Sequence, residues 1–312
     1  MSDTPAPRLA RLKDTAFGMV SHAPIALSKL LPYRWRIPFI GWLTARVIAP
    51  LAGYDRRVHD NLAHVLPDLP DAEVRRLMRA VPDNAGRNMA ELYSPRDFRA
   101  RAQSFLLHGP GLDAVHTARA TGRPVIFVTG HFGSFNAVRI ALIRQGFKLG
   151  VFYRPMSNKW FNTRYTAAMA ALSLPMFKQG RAGMMQMLRH LDAGGAIAIL
   201  TDVSAHDGVP LEFFGKPALS PLSAAKLALK FNALLVPTWG IRCQNGLDFE
   251  ILVEEPVAPS DPATMTQEVN DRLETQVRAR MDQWFWIHRR WKDGTGPLAD
   301  RGAKRLADLQ KD

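Results

Sequence analysis

Apolar, strand-like segments alternate with helix-like segments from about residue 104 onward. Strands that alternate with helices along a chain commonly pair in parallel, and the helices then cover both faces of the sheet. The alternation therefore predicts an α/β fold with a mixed, largely parallel central sheet flanked by helices. The predicted strands are Phe105–His108, Val125–Val128, Leu149–Arg154, Ala196–Thr201, Leu234–Ile241 and Phe249–Glu254.

Helix-like segments fill the intervals and precede the first strand. Residues 55–94 read as helical, and the last long helix is predicted from Thr264 to about Trp284. With 312 residues, 47% of them hydrophobic, the chain can bury a large core in one main domain, 55–295. Residues 296–312 are predicted to be a mobile polar tail. The helices predicted between strands are Leu112–Ala120, Asn136–Arg144, Asn158–Leu172, Gly183–Leu191 and Ala224–Lys230.

Residues 1–54 contain two moderately apolar stretches, Ala16–Leu31 and Ile37–Leu51. Each contains charged or proline residues, so neither predicts a transmembrane helix, and no secretory signal is evident. Both have basic flanks, and Trp35 and Trp42 stand beside them. This combination favours N-terminal helices that associate with the headgroup boundary of an anionic membrane, peripherally or monotopically. The alternative is two ordinary core helices.

The charge balance narrows the class of partner. The chain has 41 Lys and Arg against 28 Asp and Glu, a net charge of +13. Nucleic acid, anionic lipid and an acidic protein all suit this charge, but no nucleic-acid-binding motif is present, so lipid and acidic protein are favoured. The single cysteine, Cys243, excludes disulfides within the chain and cysteine-cluster metal sites, and it favours a cytosol-facing location.

A histidine stands directly after a predicted strand. Val125–Val128 ends at Thr129-Gly130, His131 follows, and a helix is predicted from Asn136. The glycines Gly130 and Gly133 suit a tight turn between the two elements. A histidine held there could act as a general base, beside a helix N-terminus whose free N–H groups could stabilise an oxyanion. The alternative is a structural histidine.

Further sequence blocks surround this one. In chain order they are Asn61-Leu62 with Pro67, His131-Phe132-Gly133-Ser134-Phe135-Asn136, Tyr153-Arg154-Pro155, Gly194–Asp202, Phe213–Ala218 and Trp286–Lys292. Together, and in this order, they resemble the lipid A biosynthesis acyltransferase family, bacterial enzymes that move fatty acyl chains from acyl carrier protein onto a membrane lipid. The Glu-Gly-Thr block of glycerol-phosphate acyltransferases is absent.

The resemblance implies a mechanism and a location. His131 would be the general base on a hydroxyl or amine of a lipid A precursor, lysophospholipid or aminolipid, without an acyl-enzyme intermediate. Acyl carrier protein or acyl-CoA would be the co-substrate, with no metal and no cofactor, at the cytoplasmic face of the bacterial inner membrane. Arg154 would bind phosphate or carboxylate, and the other implied substrate-binding residues are Gly133, Ser134, Arg181 and Asp202. His288, Arg289 and Arg290 are expected to buttress the fold or touch headgroups.

One position departs from the family pattern. Asn136 occupies the place of the acid that pairs with the histidine, and an amide carries no charge to stabilise an imidazolium. Three explanations remain open from the sequence. Another carboxylate, such as Asp202, Asp207 or Glu212, could support His131. Asn136 could be an engineered inactivating change. The chain could also bind lipid or acyl carrier protein without catalysis.

Overall fold

A computed structural model describes residues 23–156, 158–292 and 297–309 of the chain. Seven of its strands form one sheet in the order β1-β9-β8-β2-β5-β3-β4, and the other two form a hairpin. In the large sheet β8 and β9 run antiparallel, and all other neighbours run parallel. The strands are β1 (Leu106–His108), β2 (Val125–Thr129), β3 (Leu149–Tyr153), β4 (Met176–Lys178), β5 (Ala196–Leu200), β6 (Val209–Phe213), β7 (Lys216–Ser220), β8 (Leu234–Arg242) and β9 (Phe249–Val253).

Helices cover both faces of this sheet. They are α1 (Tyr33–Leu43), α2 (Ala49–Ala52), α3 (Tyr54–Val65), α4 (Asp71–Leu92), α5 (Pro95–Arg101), α6 (Leu112–Thr121), α7 (Phe135–Arg144), α8 (Lys159–Leu172), α9 (Arg181–Asp192), α10 (Ser223–Lys230), α11 (Pro262–Ala279) and α12 (Pro297–Leu309). A π-helical segment, Thr44–Ile48, joins α1 to α2, and a 3₁₀ turn, Met281–Gln283, follows α11.

The predicted α/β architecture is confirmed. All six predicted strands are present, within one or two residues of their predicted ends. Strand β2 shows why the pattern was readable, since all five of its residues are buried. Phe127 belongs to the core on one face of the sheet, and Ile126 and Val128 belong to the core on the other. A strand covered on both faces has to be apolar at successive positions.

The N-terminal helices pack with one side and expose the other. Ile37 and Ile40 of α1 are buried against Ala90 of α4. The helices approach closely at Gly86, where an added Cβ would lie 2.4 Å from the Thr44 hydroxyl oxygen. Within the described ranges, no single helix has the length and apolar character of a membrane span, and residues 33–52 with α3 pass that test only as a pair bent by 82°. The first part of the stretch predicted at Ala16–Leu31, up to residue 22, lies outside the described residues.

The C-terminal segment differs from the prediction. Residues 296–312 were expected to be a mobile polar tail, but Pro297–Leu309 form α12. Leu306 and Leu309 pack against an apolar cluster that contains Val209 of the hairpin, and Arg305 donates to the carbonyls of His206 and Gly208. The helix is amphipathic, so its few apolar residues gather on the side that meets the domain.

Candidate active site

His131 and Asp202 leave neighbouring strands at the same edge of the sheet. Strands β2 and β5 run parallel, with Thr129 opposite Leu200. His131 and Asp202 each stand two residues beyond that last pair, so the sheet register brings them together. The His131 Nδ1 atom lies 2.8 Å from Asp202 Oδ1. The carboxyl ends of parallel strands are the usual place for ligand sites in open α/β sheets.

Asp202 is a buried carboxylate that is fully engaged. Its side chain has no solvent exposure. Its second oxygen accepts from the His131 backbone N–H at 2.7 Å and from the indole N–H of Trp284 at 2.9 Å. Burial alone would raise the pKa of Asp202, but the charge of His131 and the hydrogen bonds from it outweigh burial, so the pKa falls below its ordinary value. Asp202 is therefore an anion at physiological pH.

This contact sets the state of the imidazole. Since Asp202 can only accept, His131 Nδ1 carries the proton of that hydrogen bond, and Nε2 of the neutral ring is left as an acceptor. The His131 side chain is 26% exposed, and the rings of Phe135 and Phe285 lie 5.9 and 6.1 Å away, centroid to centroid. A basic nitrogen at the mouth of an apolar-walled opening can take a proton from a bound hydroxyl or amine.

A second histidine stands beside the first. The His288 ring centroid lies 4.4 Å from that of His131 in an edge-to-face arrangement. Burial, together with the charges of His131 and Arg290, lowers the pKa of His288 to about 4, although the charge of Asp202 acts in the opposite direction. His288 is therefore neutral at pH 7, and its buried Nε2 has no hydrogen-bond partner among the described residues.

Asn136 does not pair with His131. It is the second residue of α7 and is 3% exposed, and its Oδ1 atom has no partner among the described residues. The residue at the position of the family acid therefore makes no hydrogen bond with His131 in this structure. The carboxylate comes from β5, as one of the three alternatives had it, and the other two candidates, Asp207 and Glu212, make no contact with His131 that the structure records.

Gly133 and Ser134 are buried parts of the loop framework. Gly133 has φ +52°, and a Cβ there would lie 1.8 Å from the Gly240 carbonyl oxygen, so only glycine fits. Ser134 caps α7 by accepting from the Ala137 amide at 3.3 Å. The amides of Gly133 and Ser134 donate to the carbonyls of Gln283 and Gly240. These contacts position the loop, and the contact of Gly133 and Ser134 with substrate stays a prediction.

Arg154 and Arg181 lie at the same edge of the sheet, one following β3 and the other starting α9. Both are exposed, and the structure records no ion pair for either within the described ranges. Between them and His131, the last three residues of β5 are partly exposed, although β5 is a central strand. The end of this apolar strand near His131 is therefore incompletely covered by the rest of the protein.

Other sequence blocks that resemble the family pattern lie behind this loop. Asn61 of α3 donates to the carbonyls of Trp286 and His288, at 2.6 and 2.8 Å. Arg290 is buried, stacks on Phe213 and donates to the Leu219 carbonyl, so it buttresses the hairpin. An aromatic cluster fills the space between these segments; its members are Phe213, Phe214, Trp284, Trp286 and Trp291.

Sequence reasoning missed three side chains that shape the site. Trp284 holds Asp202, and the amides of Asn84 and Asn88 donate to the Gly133 carbonyl, at 3.4 and 2.6 Å. The two asparagines stand four residues apart on α4, a spacing that places both on one helix face, and this was the available signal.

Comparison with known proteins agrees with this arrangement. The model of a family described as bacterial lipid A biosynthesis acyltransferase matches residues 14–293. The chain is 24% identical over 291 residues to a phosphatidylinositol mannoside acyltransferase of Mycobacterium tuberculosis, a match that covers 86% of this chain and 90% of that protein. It is also 24% identical over 180 residues to a lipid A biosynthesis acyltransferase of Haemophilus influenzae, covering 57% of this chain and 56% of that protein.

The family match covers nearly the whole chain and includes both His131 and Asp202. The resemblance expected from the sequence blocks is confirmed. The chain belongs to the bacterial lipid A biosynthesis acyltransferase family, and it is an enzyme that transfers acyl groups to lipids.

Proposed function

We propose that the protein transfers a fatty acyl chain from a thioester donor, acyl carrier protein or acyl-CoA, to a hydroxyl or amine of a membrane lipid, with His131 as general base. The observation that carries the proposal is the 2.8 Å contact between His131 Nδ1 and the buried Asp202 carboxylate. It fixes the tautomer in which Nε2 accepts a proton, and it places a negative charge beside the imidazolium that forms.

The reaction proceeds by direct attack. His131 Nε2 removes the proton of the acceptor hydroxyl or amine as its oxygen or nitrogen attacks the thioester carbonyl carbon. The resulting tetrahedral intermediate collapses, and the carbon–sulfur bond breaks. The imidazolium returns the proton to the leaving thiolate, so the products are an ester or amide and a free thiol. Asp202 remains ionised throughout and stabilises the imidazolium.

The walls of the site suit an acyl chain and an anionic group. The partly exposed Ile199 of β5 and Phe152 of β3 lie on the same face of the sheet and offer an apolar surface for the chain. Arg154 and Arg181 border that surface, and the planar guanidinium of either can bind a phosphate or carboxylate in two-point contact. The net charge of +13 favours encounter with an acidic carrier protein or an anionic leaflet.

We place the enzyme peripherally or monotopically at the cytoplasmic face of the inner membrane. The support is the exposed apolar side of the N-terminal helices, which carries Trp35, Phe39 and Trp42. The alternative of a protein that binds lipid or carrier without catalysis rested on the loss of the acid at Asn136. Since Asp202 provides a carboxylate to His131, that reason no longer applies.

Acyl transfer with purified protein tests the proposal. Label should move from acyl carrier protein or acyl-CoA to a lysolipid acceptor, and the two donors should differ in kcat/KM. His131→Ala should abolish transfer, while His206→Ala, at an exposed site, should retain it. Equal activity of the His131→Ala protein would remove His131 from the mechanism. Mass spectrometry of lipids from cells with and without the gene identifies the acceptor.

A further inference from the structure

A large cleft lined mainly by arginine lies between the N-terminal helices and α4. Its volume is about 1220 Å³, and eight of its lining residues are arginines while two are aspartates. Its walls come from α1 and the π-helical segment, from α4, from the connection between β8 and β9, and from the segment that follows α11. We call this the arginine cleft. None of its arginines takes part in the acyl-transfer chemistry proposed above.

Some of these arginines already have partners within the protein. Arg242 makes a two-point ion pair with the buried Glu91, at 2.5 and 3.0 Å. Arg87 pairs with Asp83, one of the two aspartates of the cleft. Arg76 pairs with Glu73 at 2.8 Å and also feels the charge of the other aspartate, Asp282. The carboxylates of Glu91, Asp83 and Glu73 are therefore engaged, and the eight arginines of the cleft outnumber its two aspartates.

Four further arginines have no such partner, Arg34 of α1 and three others. Arg46 comes from the π-helical segment, Arg79 from α4, and Arg280 from the residue after α11. Among the described residues, no carboxylate lies within ion-pair distance of any of the three. Like charges that converge from separate elements repel one another, and an anion in the cleft relieves that repulsion. Guanidinium groups are especially suited to phosphate oxygens.

The rim of the cleft is apolar on one side. Trp35, Phe39 and Trp42 are 57%, 42% and 52% exposed, and their spacing places them on one face of α1. Trp42 also lines the cleft, and Leu51, a few residues further along the wall, is 85% exposed. Tryptophan beside arginine is the combination that seats a helix at the headgroup level of a bilayer. A soluble acidic protein in the cleft would leave these side chains in water.

We propose that the arginine cleft binds the phosphate group of an anionic membrane lipid while Trp35, Phe39 and Trp42 enter the headgroup boundary. This binding site goes beyond the proposed function, because it does not use His131 or the acyl donor. Gln283 lines the cleft, and its carbonyl accepts from Gly133 of the active-site loop. The wall of the cleft is therefore in direct contact with the loop that carries His131.

Flotation of the full-length protein with vesicles tests this proposal. The probe is phosphatidylcholine doped with phosphatidic acid. The cleft variant is Arg46→Gln, Arg79→Gln and Arg280→Gln together. The control variant is Arg189→Gln, Lys226→Gln and Lys304→Gln, three exposed positions outside the cleft that remove the same charge. Each basic residue near an anionic membrane contributes about 1 kcal/mol to binding, and about 1.4 kcal/mol corresponds to a tenfold change in affinity. The cleft variant, which lacks three arginines, should therefore bind the vesicles on the order of 100-fold more weakly. The control variant should change by less than about threefold.

Equal losses in the two variants would mean general charge attraction and would overturn the proposal. A second set of vesicles replaces phosphatidic acid with oleate, a carboxylate, at the same total charge. These vesicles should bind the protein more weakly than those with phosphatidic acid. Equal binding would remove the phosphate assignment. If inorganic phosphate at matched ionic strength binds as tightly as the vesicles, the ligand is free phosphate rather than lipid. Loss of acyl carrier protein binding with unchanged vesicle binding would assign the cleft to the carrier instead.

The vesicle measurement is independent of the acyl-transfer reaction. The His131→Ala protein should float with vesicles as the parent protein does, although it transfers no acyl chain. The control variant should keep both vesicle binding and acyl transfer, because its three positions are exposed and lie outside the cleft. Thermal unfolding of each variant checks that the fold is intact.

Discussion

Asp202 and the arginine cleft hold charge in opposite ways. Asp202 is fully buried and accepts three hydrogen bonds from groups that the fold places around it. Arg46, Arg79 and Arg280 are at least partly exposed, and within the described chain they have no carboxylate partner. A buried charge whose hydrogen-bond partners all belong to the protein can orient a neighbouring group for chemistry. Charges left without a partner at the surface are available to an external anion.

The largest expected effect comes from removing the buried charge. Asp202→Asn should lower the rate of acyl transfer by about 10³- to 10⁴-fold, because the amide cannot stabilise the imidazolium and disturbs its tautomer, as the Asp-to-Asn change does in serine proteases. Steady-state kinetics on folded protein measures it. Asp207→Asn, at an exposed carboxylate five residues later, is the matched control and should leave the rate unchanged. A normal rate for Asp202→Asn would mean that His131 needs no buried anion.

Restoring the family acid at position 136 tests whether the site has a second place for such a charge. Asn136→Asp should not raise the rate, because His131 Nδ1 is already bonded to Asp202. It should lower the free energy of unfolding by about 2 kcal/mol or more, because a carboxyl group would be buried without a partner at the present Oδ1 position. Chemical denaturation and the acyl-transfer assay together measure the two effects. A faster, equally stable protein would return Asn136 to the role of an inactivating residue.

A smaller effect is expected when one donor to the buried charge is removed. Trp284→Phe deletes the indole N–H that bonds Asp202 at 2.9 Å and should slow transfer about 10-fold, the equivalent of one hydrogen bond to a charged group. Trp286→Phe is the control, since its indole N–H donates to the Met281 carbonyl and it lies in the same aromatic cluster. Equal rates in the two variants would mean that Trp284 acts through packing alone.

The smallest effect concerns pH. The folded-state pKa of His288 is about 4 against 6.5 in the unfolded chain, so between these values only the unfolded state binds the proton. The contribution of His288 to stability is therefore lost as pH falls, by about 1 kcal/mol between pH 7.5 and 5.5. Denaturation at the two pH values should show a smaller loss for His288→Gln. Asp202 contributes in a separate window, below its ordinary pKa of 3.8. If the free energy of unfolding of His288→Gln fell with pH as steeply as that of the parent protein, the argument from the burial of His288 would be contradicted.

The central strands could be read from the sequence, and the hairpin and the edge strand could not. Strands such as β2 are apolar at every position because both faces are covered. Strand β4 has three residues, too few to show a period. The hairpin turns at Phe214 and Gly215, both with positive φ, and a phenylalanine in that conformation is not a recognised turn signal.

The histidine could be predicted from local sequence, whereas its partner depended on strand order. His131 follows a strand and precedes a helix within a few residues, so its setting is local. Which strand lies beside β2 is set by the packing of the whole sheet. Although β3 and β4 precede β5 in the chain, β5 is the neighbour of β2, and β3 and β4 lie on the other side of β5. The spacing within one segment pointed to Asn136, and the neighbouring strand provided Asp202.

The base and its carboxylate stand 71 residues apart on strands that meet only in the finished sheet. Neither His131 nor Asp202 can form the pair without the other strand in place. If the chain were divided in the loop after α8 and the two pieces were mixed, acyl transfer would return only in reassembled molecules. The rate of acyl transfer would then be proportional to the concentration of complexes in which β2 and β5 have paired in register.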